Sequence, residues 1–251
     1  MRKVPIFQYY AFGYDYGLLQ SDGYKGEKNQ DAINALQNFF SELESLDLRV
    51  TLNAASNLKK ILTEVRQSNS PNISEALAKK IQDEVNRIDP TLDAELALQN
   101  AYVLTERRYA NDKLINSPDQ LLSTGVFNKL SDTSKRDFSL ACVQIAYSQP
   151  TAAAFHLMRA LEEQVKMLYF GFKKTKRMKK PMWGPMTNEL RNKRSPKPSE
   201  KLLNHLDGIR VHFRNPTQHP EAFYSIDEAQ DLLNQTISAI NLIDKELPTR
   251  G

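Results

Sequence analysis

The chain has 251 residues, of which 40% are hydrophobic and 25% are charged, and its formal net charge is +4. This composition is typical of a globular chain with one large core or two smaller ones, and it excludes global disorder and fibrous repeats. No apolar run is long enough to span a bilayer or to form the core of a signal peptide. A single cysteine, Cys142, excludes an internal disulfide and a multi-thiolate metal site, so we expect a cytoplasmic protein without membrane contact.

The first 28 residues are rich in aromatic residues and glycine. Seven of the chain's 22 aromatic residues fall within the first 26 positions, where they are interleaved with four glycines. Because no helical period connects them, we expect an extended arm or short strand. Such an arm could stack on bases, but packing on the protein itself or on a sister subunit is the favoured interpretation. We assign this arm no chemistry.

Helical periodicity begins after the arm and continues to about residue 116. Apolar residues recur there at three-to-four spacing, and no residues have catalytic spacing. Asn72 followed by Glu75 predicts a helix start, and Pro90 predicts a helix boundary. We therefore interpret residues 29–116 as a helical support or oligomerisation region.

The second half of the chain predicts four amphipathic helices. They are expected over 131–148, 151–172 and 199–214, and from Ser225 onward, where Ser225 and Glu228 form a capping-box pattern. Four such helices describe a small bundle, and the fold class is all-α. The predicted domains are an arm over 1–28, a helical support or oligomerisation region over 29–116 and a helical bundle over 117–251.

The positive charge of the chain is concentrated between the second and third of these helices. From Lys173 to Lys201 there are eleven basic residues against two acidic ones, a local balance of +9. Such a segment can bind the phosphate backbone of RNA independently of sequence, and it can equally be a solvated loop; both interpretations stay open. The candidate RNA-backbone residues are Lys173, Lys174, Lys176, Arg177, Lys179, Lys180, Arg191, Lys193 and Arg194.

The segment between the third and fourth helices carries the residue types needed to cleave RNA without a metal. Pro216 predicts that the third helix ends at Arg214 or Asn215, so that Arg214, Asn215 and His219 share one tight loop. Histidine transfers protons near neutral pH, and arginine holds a phosphate oxygen and its growing charge. The alternative is structural: Arg214 pairs with an acid near the end of its helix, and His219 is a satisfied turn residue.

Three elements of the sequence resemble the HEPN superfamily of small helical domains. They are TAAAFHLMRALE at 151–162, Trp183-Gly184 and RNPTQH at 214–219, and the resemblance spans roughly residues 100–247. It implies a bundle of four to five helices, commonly dimeric, whose Arg-polar-x(3–5)-His motif cleaves RNA in many toxins and phage-defence effectors. It also implies catalytic roles for Arg214, Asn215 and His219, with no cofactor or metal. His156, Arg159 and Glu162 match the shared helix and are candidates to support the catalytic loop. The simpler interpretation of Arg159 is a local salt bridge to Glu162 or Glu163.

The expected reaction is an attack of the RNA 2′-hydroxyl on the adjacent phosphate, which leaves a 2′,3′-cyclic phosphate. A base and an acid are both needed, whereas the motif has one histidine. A two-fold homodimer would bring two copies of the motif to one cleft. Within one chain, His205 or His212 is the alternative second group. We expect RNA as substrate, assembly into a homodimer or higher homo-oligomer, and a neutralising or activating protein as a further partner.

Two other functions compete with the ribonuclease. The first is a non-enzymatic HEPN-like scaffold that binds protein or nucleic acid, for which changes such as Leu77→Asp or Ile81→Asp are expected to abolish function. The second is a metal-dependent hydrolase, which is disfavoured because the four histidines and the acidic residues show no metal-ligand spacing. The HEPN-type ribonuclease is the leading hypothesis.

Overall fold

A computed structural model describes residues 5–100, 102–173, 181–219 and 221–248. Within these ranges the regular structure is helical, apart from one isolated antiparallel bridge between Lys28 and Asn72. This confirms the predicted all-α class. The chain divides into two compact units, residues 1–102 and 103–251, and each unit has its own hydrophobic core.

The boundary between the units differs from the expected one at 116/117. Helix α6 (Asn111–Asn116) belongs to the C-terminal unit, because Leu114 is completely buried in that unit's core and the helix packs against the helix that follows Ser131. A short six-residue helix with a single buried leucine is a weak signal in sequence. Its assignment therefore depends on tertiary packing.

The described part of the N-terminal unit consists of α1 (Ile6–Ser21), α2 (Asn29–Ser45), α3 (Arg49–Ala54), α4 (Ser56–Gln67) and α5 (Glu75–Leu96). The prediction of an extended arm over 1–28 is wrong, since its central part is helix α1. Phe12 and Leu19 on α1 are buried, and the ring of Tyr16 lies 5.7 Å from the ring of Phe39. The other aromatic residues of α1 remain exposed, and they hide the helical period in the sequence.

Helix α5 corrects two predictions about its ends. Its N-terminal cap is Ser74, whose side chain accepts a hydrogen bond from the backbone N–H of Leu77, whereas Asn72 lies outside the helix in the antiparallel bridge. Pro90 does not end the helix. Leu92 is buried beyond it, and we attribute the continuation of the helix to this packing, which offsets the hydrogen bond that proline cannot donate.

Gly23 is required in the turn that follows α1. Its φ is +57°, in the left-handed region, and a Cβ at this position would lie 2.1 Å from the carbonyl oxygen of Ala78. Only glycine combines this backbone conformation with so close an approach to α5. The packing of α1 against α5 therefore depends on this residue.

The C-terminal unit contains α6, α7 (Val126–Lys129), α8 (Asp132–Ala146), α9 (Pro150–Phe172), α10 (Trp183–Arg191), α11 (Glu200–Ile209), α12 (Asn215–Thr217) and α13 (Ile226–Glu246). Helices α8, α11 and α13 begin after Ser131, Ser199 and Ser225, whose side chains cap them, and Ser225 and Glu228 form a full capping box. The four predicted amphipathic helices are thus confirmed. Helix α9 packs against both α8 and α13, and it presents the side chains of the site described next.

No helix in the described ranges combines the length and the apolarity needed to cross a bilayer.

Candidate active site

The backbone of the Arg214–His219 loop continues the helix that precedes it. After α11 the chain forms one wide π-turn over Arg210–Arg214, in which the N–H of Asn215 bonds to the carbonyl of Arg210, and then enters α12. The expectation that the helix stops at Arg214 or Asn215 is therefore wrong. Pro216 is tolerated because it lies in the first turn of α12, where its missing N–H is not needed. Single π-turns within helices are frequent at functional sites.

Arg214 is held by a carboxylate from another helix. Its Nη2 lies 3.6 Å from Oε2 of Glu162 on α9, and each side chain is about a quarter exposed (25% and 26%). The Nε of Arg214 is buried and has no hydrogen-bond partner in the described part of the chain. Glu162 thus restrains the guanidinium, which still has N–H groups without a hydrogen-bond partner among the described residues.

Asn215 and His219 are exposed, and their side chains make no hydrogen bond or ion pair with the residues that the structure describes. The His219 backbone is nevertheless fixed, because its N–H donates to the carbonyl of Pro216 at 2.8 Å and its carbonyl accepts from Ala222 at 3.2 Å. The imidazole is therefore open to solvent on a hydrogen-bonded turn. Such a group is available for proton transfer with a bound substrate.

An aromatic pair fixes the loop to the start of α9. The rings of Phe213 and Tyr224 stack with centroids 6.4 Å apart, and the hydroxyls of Thr217 and Tyr224 lie 2.7 Å from each other. Both hydroxyls also reach the carbonyl of Phe213, at 2.6 and 3.2 Å. The backbone N–H of Tyr224 donates to Thr151 Oγ1, so Thr151 holds this loop, while the N-cap position of α9 is Gln149. Tyr224 was not predicted to support the loop, because a single tyrosine outside any motif gives no sequence signal of such a role.

His156 and Arg159 converge on Asp137, which was not among the residues predicted from the sequence. Nδ1 of His156 lies 2.9 Å from Oδ1 of Asp137 on α8, and Nε of Arg159 lies 3.3 Å from the other carboxylate oxygen. Asp137 is only 1% exposed. The sequence did contain a signal for Asp137: it directly precedes Phe138 on the buried side of an amphipathic helix, where an aspartate is rare unless it is paired.

The acids next to Arg159 on α9 bind other partners. Glu162 pairs with Arg214, and Glu163 lies 3.4 Å from Nζ of Lys166. Local pairing of Arg159 with either glutamate, the simplest interpretation of the sequence, is therefore not observed. Of the three supporting residues predicted on this helix, the structure brings Glu162 to Arg214 and places His156 and Arg159 around Asp137.

The two other histidines of the C-terminal bundle differ in their surroundings. Nε2 of His205 lies 3.1 Å from the backbone carbonyl of Gln235, which ties α11 to α13. His212 is exposed on the π-turn, and its side chain has no hydrogen-bond partner among the described residues. His205 therefore has a structural contact, whereas His212 is accessible.

The basic segment is largely engaged in local pairs where the structure describes it. Lys173 lies 3.4 Å from Glu189, and Lys193 donates to the carbonyl of Pro196 at 2.6 Å. The guanidinium of Arg191 lies 2.5 Å from Glu200 and 2.7 Å from Asp207, and these ion pairs connect α10 to α11. Arg191 was predicted to bind RNA, but its side chain is engaged in these contacts. Arg194 is exposed without a described partner. The predicted residues Lys174, Lys176, Arg177, Lys179 and Lys180 lie outside the described residues.

The hydroxyl of Tyr169 links the end of α9 to α10. It donates to Glu189 at 2.7 Å, and burial together with this carboxylate raises the pKa of Tyr169 to about 12. Lys173 approaches the same carboxylate. This cluster anchors the start of the basic segment to the bundle.

The described residues contain no group of three or more His, Cys, Asp or Glu side chains placed to hold a metal ion. No protein-family model, no curated protein and no solved structure gives a significant match to this chain. The resemblance to the HEPN superfamily therefore stays a prediction from the sequence.

Proposed function

We propose that this chain is a metal-independent endoribonuclease of the HEPN type, with Arg214, Asn215 and His219 as its catalytic residues. The observation that carries the proposal is the state of these side chains. Arg214 is restrained by Glu162, while Asn215 and His219 project from a hydrogen-bonded turn with no described partner of their own. Because Asn215 and His219 are exposed, only water occupies their polar groups, and a substrate phosphate can displace that water.

The proposed reaction uses a nucleophile that RNA itself supplies. The 2′-oxygen attacks the adjacent phosphorus as a base removes its proton, and the bond to the 5′-oxygen breaks as an acid returns a proton. The products are a 2′,3′-cyclic phosphate and a 5′-hydroxyl. His219 takes one proton-transfer role, the Arg214 guanidinium stabilises the negative charge of the phosphorane, and Asn215 orients the phosphate or the imidazole.

The second proton-transfer role falls to another copy of the chain in this proposal. A two-fold homodimer that opposes two copies of the loop supplies one histidine on each side of the scissile phosphate. Mixing equal amounts of the parent protein and the His219→Ala variant tests this arrangement, because a mixed dimer contains only one His219 and should not cleave RNA. A shared site predicts that cleavage falls to about a quarter of the activity of the parent protein at the same total concentration, and a fall to about half contradicts it.

The direct test is cleavage of RNA in the presence of a chelator, with His219→Ala as the matched inactive variant. We expect cleavage by the parent protein, products with 2′,3′-cyclic phosphate ends, and a fall of about 10²–10⁴-fold for the variant. Equal cleavage by the two proteins, or no cleavage by the parent protein, contradicts the proposal.

The biological role we propose is that of a cytoplasmic toxin or phage-defence effector restrained by a neutralising or activating protein. This role is supported by the resemblance alone. Induced expression in bacteria should arrest growth, and expression of the His219→Ala variant to the same level should not.

A non-enzymatic interaction module is the second candidate, and the outer face of α1 favours it. Phe7, Tyr10 and Tyr14 are 73%, 68% and 61% exposed, which is unusual for a helix that also buries part of its surface. The changes Leu77→Asp and Ile81→Asp are poor tests of this candidate, because Ile81 is fully buried and Leu77 packs against the same core. Tyr10→Asp is the better test: it should abolish function in an interaction module and leave RNA cleavage intact in a ribonuclease.

A further inference from the structure

An aromatic ring, an imidazole and a guanidinium lie together at the surface of α9, next to the buried carboxylate of Asp137. We infer that Phe155, His156 and Arg159 form a docking site for one nucleotide of single-stranded RNA, with the base stacked on Phe155 and a phosphate on Arg159. The inference rests on the proposed function for the choice of RNA as ligand. It adds a binding site outside the Arg214–His219 loop.

The three side chains are close enough to act on one ligand. The guanidinium carbon of Arg159 lies 6.0 Å from the ring centroid of Phe155, and the rings of Phe155 and His156 meet edge to face at 6.4 Å. Phe155 is 44% exposed, so a substantial part of its surface is accessible to a base. Aromatic rings and arginine planes are the surfaces on which unpaired bases stack.

Asp137 orients the imidazole of His156. Nδ1 lies 2.9 Å from Oδ1, and an ionised carboxylate only accepts hydrogen bonds, so this contact places a proton on Nδ1. Nε2 has no partner in the described chain and is left for a ligand. A buried acid that orients a histidine in this way is a recurrent arrangement at functional sites.

Arg159 is held loosely and keeps its terminal nitrogens free. Its Nε is 3.3 Å from Oδ2 of Asp137, yet this buried oxygen has no hydrogen bond of acceptable geometry in the described residues. The two terminal nitrogens hydrogen-bond to nothing in the described chain. A phosphate on the terminal nitrogens would complete the coordination of the guanidinium.

The position of this site on α9 connects it to the catalytic motif. Arg159 precedes Glu162 by three residues, which is about 4.5 Å along a helix axis, and Glu162 holds Arg214. A strand that contacts Arg159 can therefore extend toward the Arg214 guanidinium. Single-stranded RNA is favoured over duplex because a base inside a stacked duplex cannot cover Phe155.

The test measures binding of a short fluorescent single-stranded RNA, and of its duplex, to the full chain in the His219→Ala background, where cleavage does not interfere. Phe155→Ala and Arg159→Ala should each weaken binding of the single strand by about tenfold, because the first removes the stacking ring and the second removes the phosphate contact. Phe155→Tyr should retain binding, since it preserves the ring. Duplex binding should change less than twofold with Phe155→Ala.

Two control variants separate this site from general effects. Tyr10→Ala removes an exposed aromatic ring from the other unit, and Arg136→Ala removes an exposed charge from α8, directly beside Asp137. The inference is overturned if the Phe155 and Arg159 variants bind as tightly as these controls, or if the single strand does not bind at all. Failure of the proposed cleavage is seen separately, as equal RNA cleavage by the parent protein and by His219→Ala.

Discussion

The strongest prediction separates chemistry from folding at the Arg214–His219 loop by comparing three variants. His219→Ala should change the free energy of unfolding by less than about 0.5 kcal/mol, because the side chain is exposed and makes no described contact. Arg214→Lys keeps a charge near Glu162 and should cost no more than about 1 kcal/mol, as expected for a partly exposed pair.

Phe213→Ala is the matched control, because it should lower the stability of the protein without removing a proposed catalytic group. The sequence places Phe213 on the buried face, where loss of the ring would cost about 3–5 kcal/mol, but the structure leaves it partly buried and stacked on Tyr224. We therefore expect about 2–3 kcal/mol. For a unit of this size the melting temperature should fall by about 3 °C per kcal/mol, so Phe213→Ala should melt about 6–9 °C early.

Thermal melting and RNA cleavage are to be measured on the same preparations. Cleavage should fall about 10²–10⁴-fold for His219→Ala and about 10–10³-fold for Arg214→Lys, which loses the bidentate fork, while both proteins melt within about 3 °C of the parent. If both variants melt as early as Phe213→Ala, the residues are structural and the nuclease hypothesis loses its support. If both melt normally and cleave like the parent, the residues are not catalytic.

Further predictions concern stability and reactivity. Gly23→Ala should destabilise the N-terminal unit by at least about 1–2 kcal/mol in denaturant unfolding, because a Cβ at φ +57° meets the carbonyl oxygen of Ala78; unchanged stability would contradict the turn geometry. Ser74→Ala should cost about 1 kcal/mol and Asn72→Ala clearly less, which reverses the expectation from sequence about which residue caps α5. Burial raises the pKa of Cys142 to about 12, so the thiol should resist Ellman's reagent at pH 8 until the unit unfolds, and rapid native labelling would refute its burial.

The helices of the bundle were predictable where the signals are local. Ser225 and Glu228 form a capping box within four residues, and the apolar period of α13 follows directly, so the helix start could be read from the sequence. The same holds for Ser131 and Ser199, which precede apolar stripes. Local hydrogen bonds and a 3.6-residue period are properties of a short segment, so they can be predicted without knowledge of the rest of the fold.

Local helix propensity predicted the wrong structure where tertiary packing outweighs it. Pro90 signals a helix end, yet α5 continues because Leu92 is buried beyond it, and α1 is a helix although glycines and exposed aromatic residues obscure its period. In each case burial of a few side chains against the core of the unit outweighs the local preference. Such compensation cannot be seen in a single segment.

The candidate site residues, Arg214, Asn215 and His219, could be recognised from one short segment of the sequence. Their partners could not, because they depend on the tertiary structure. Glu162 reaches Arg214 across 52 positions, and Asp137 reaches His156 across 19, because packing of α9 against its neighbours brings these side chains together. A contact between helices depends on how each helix is rotated and placed in the bundle, and this follows from the packing of the whole core rather than from the spacing of residues along the chain.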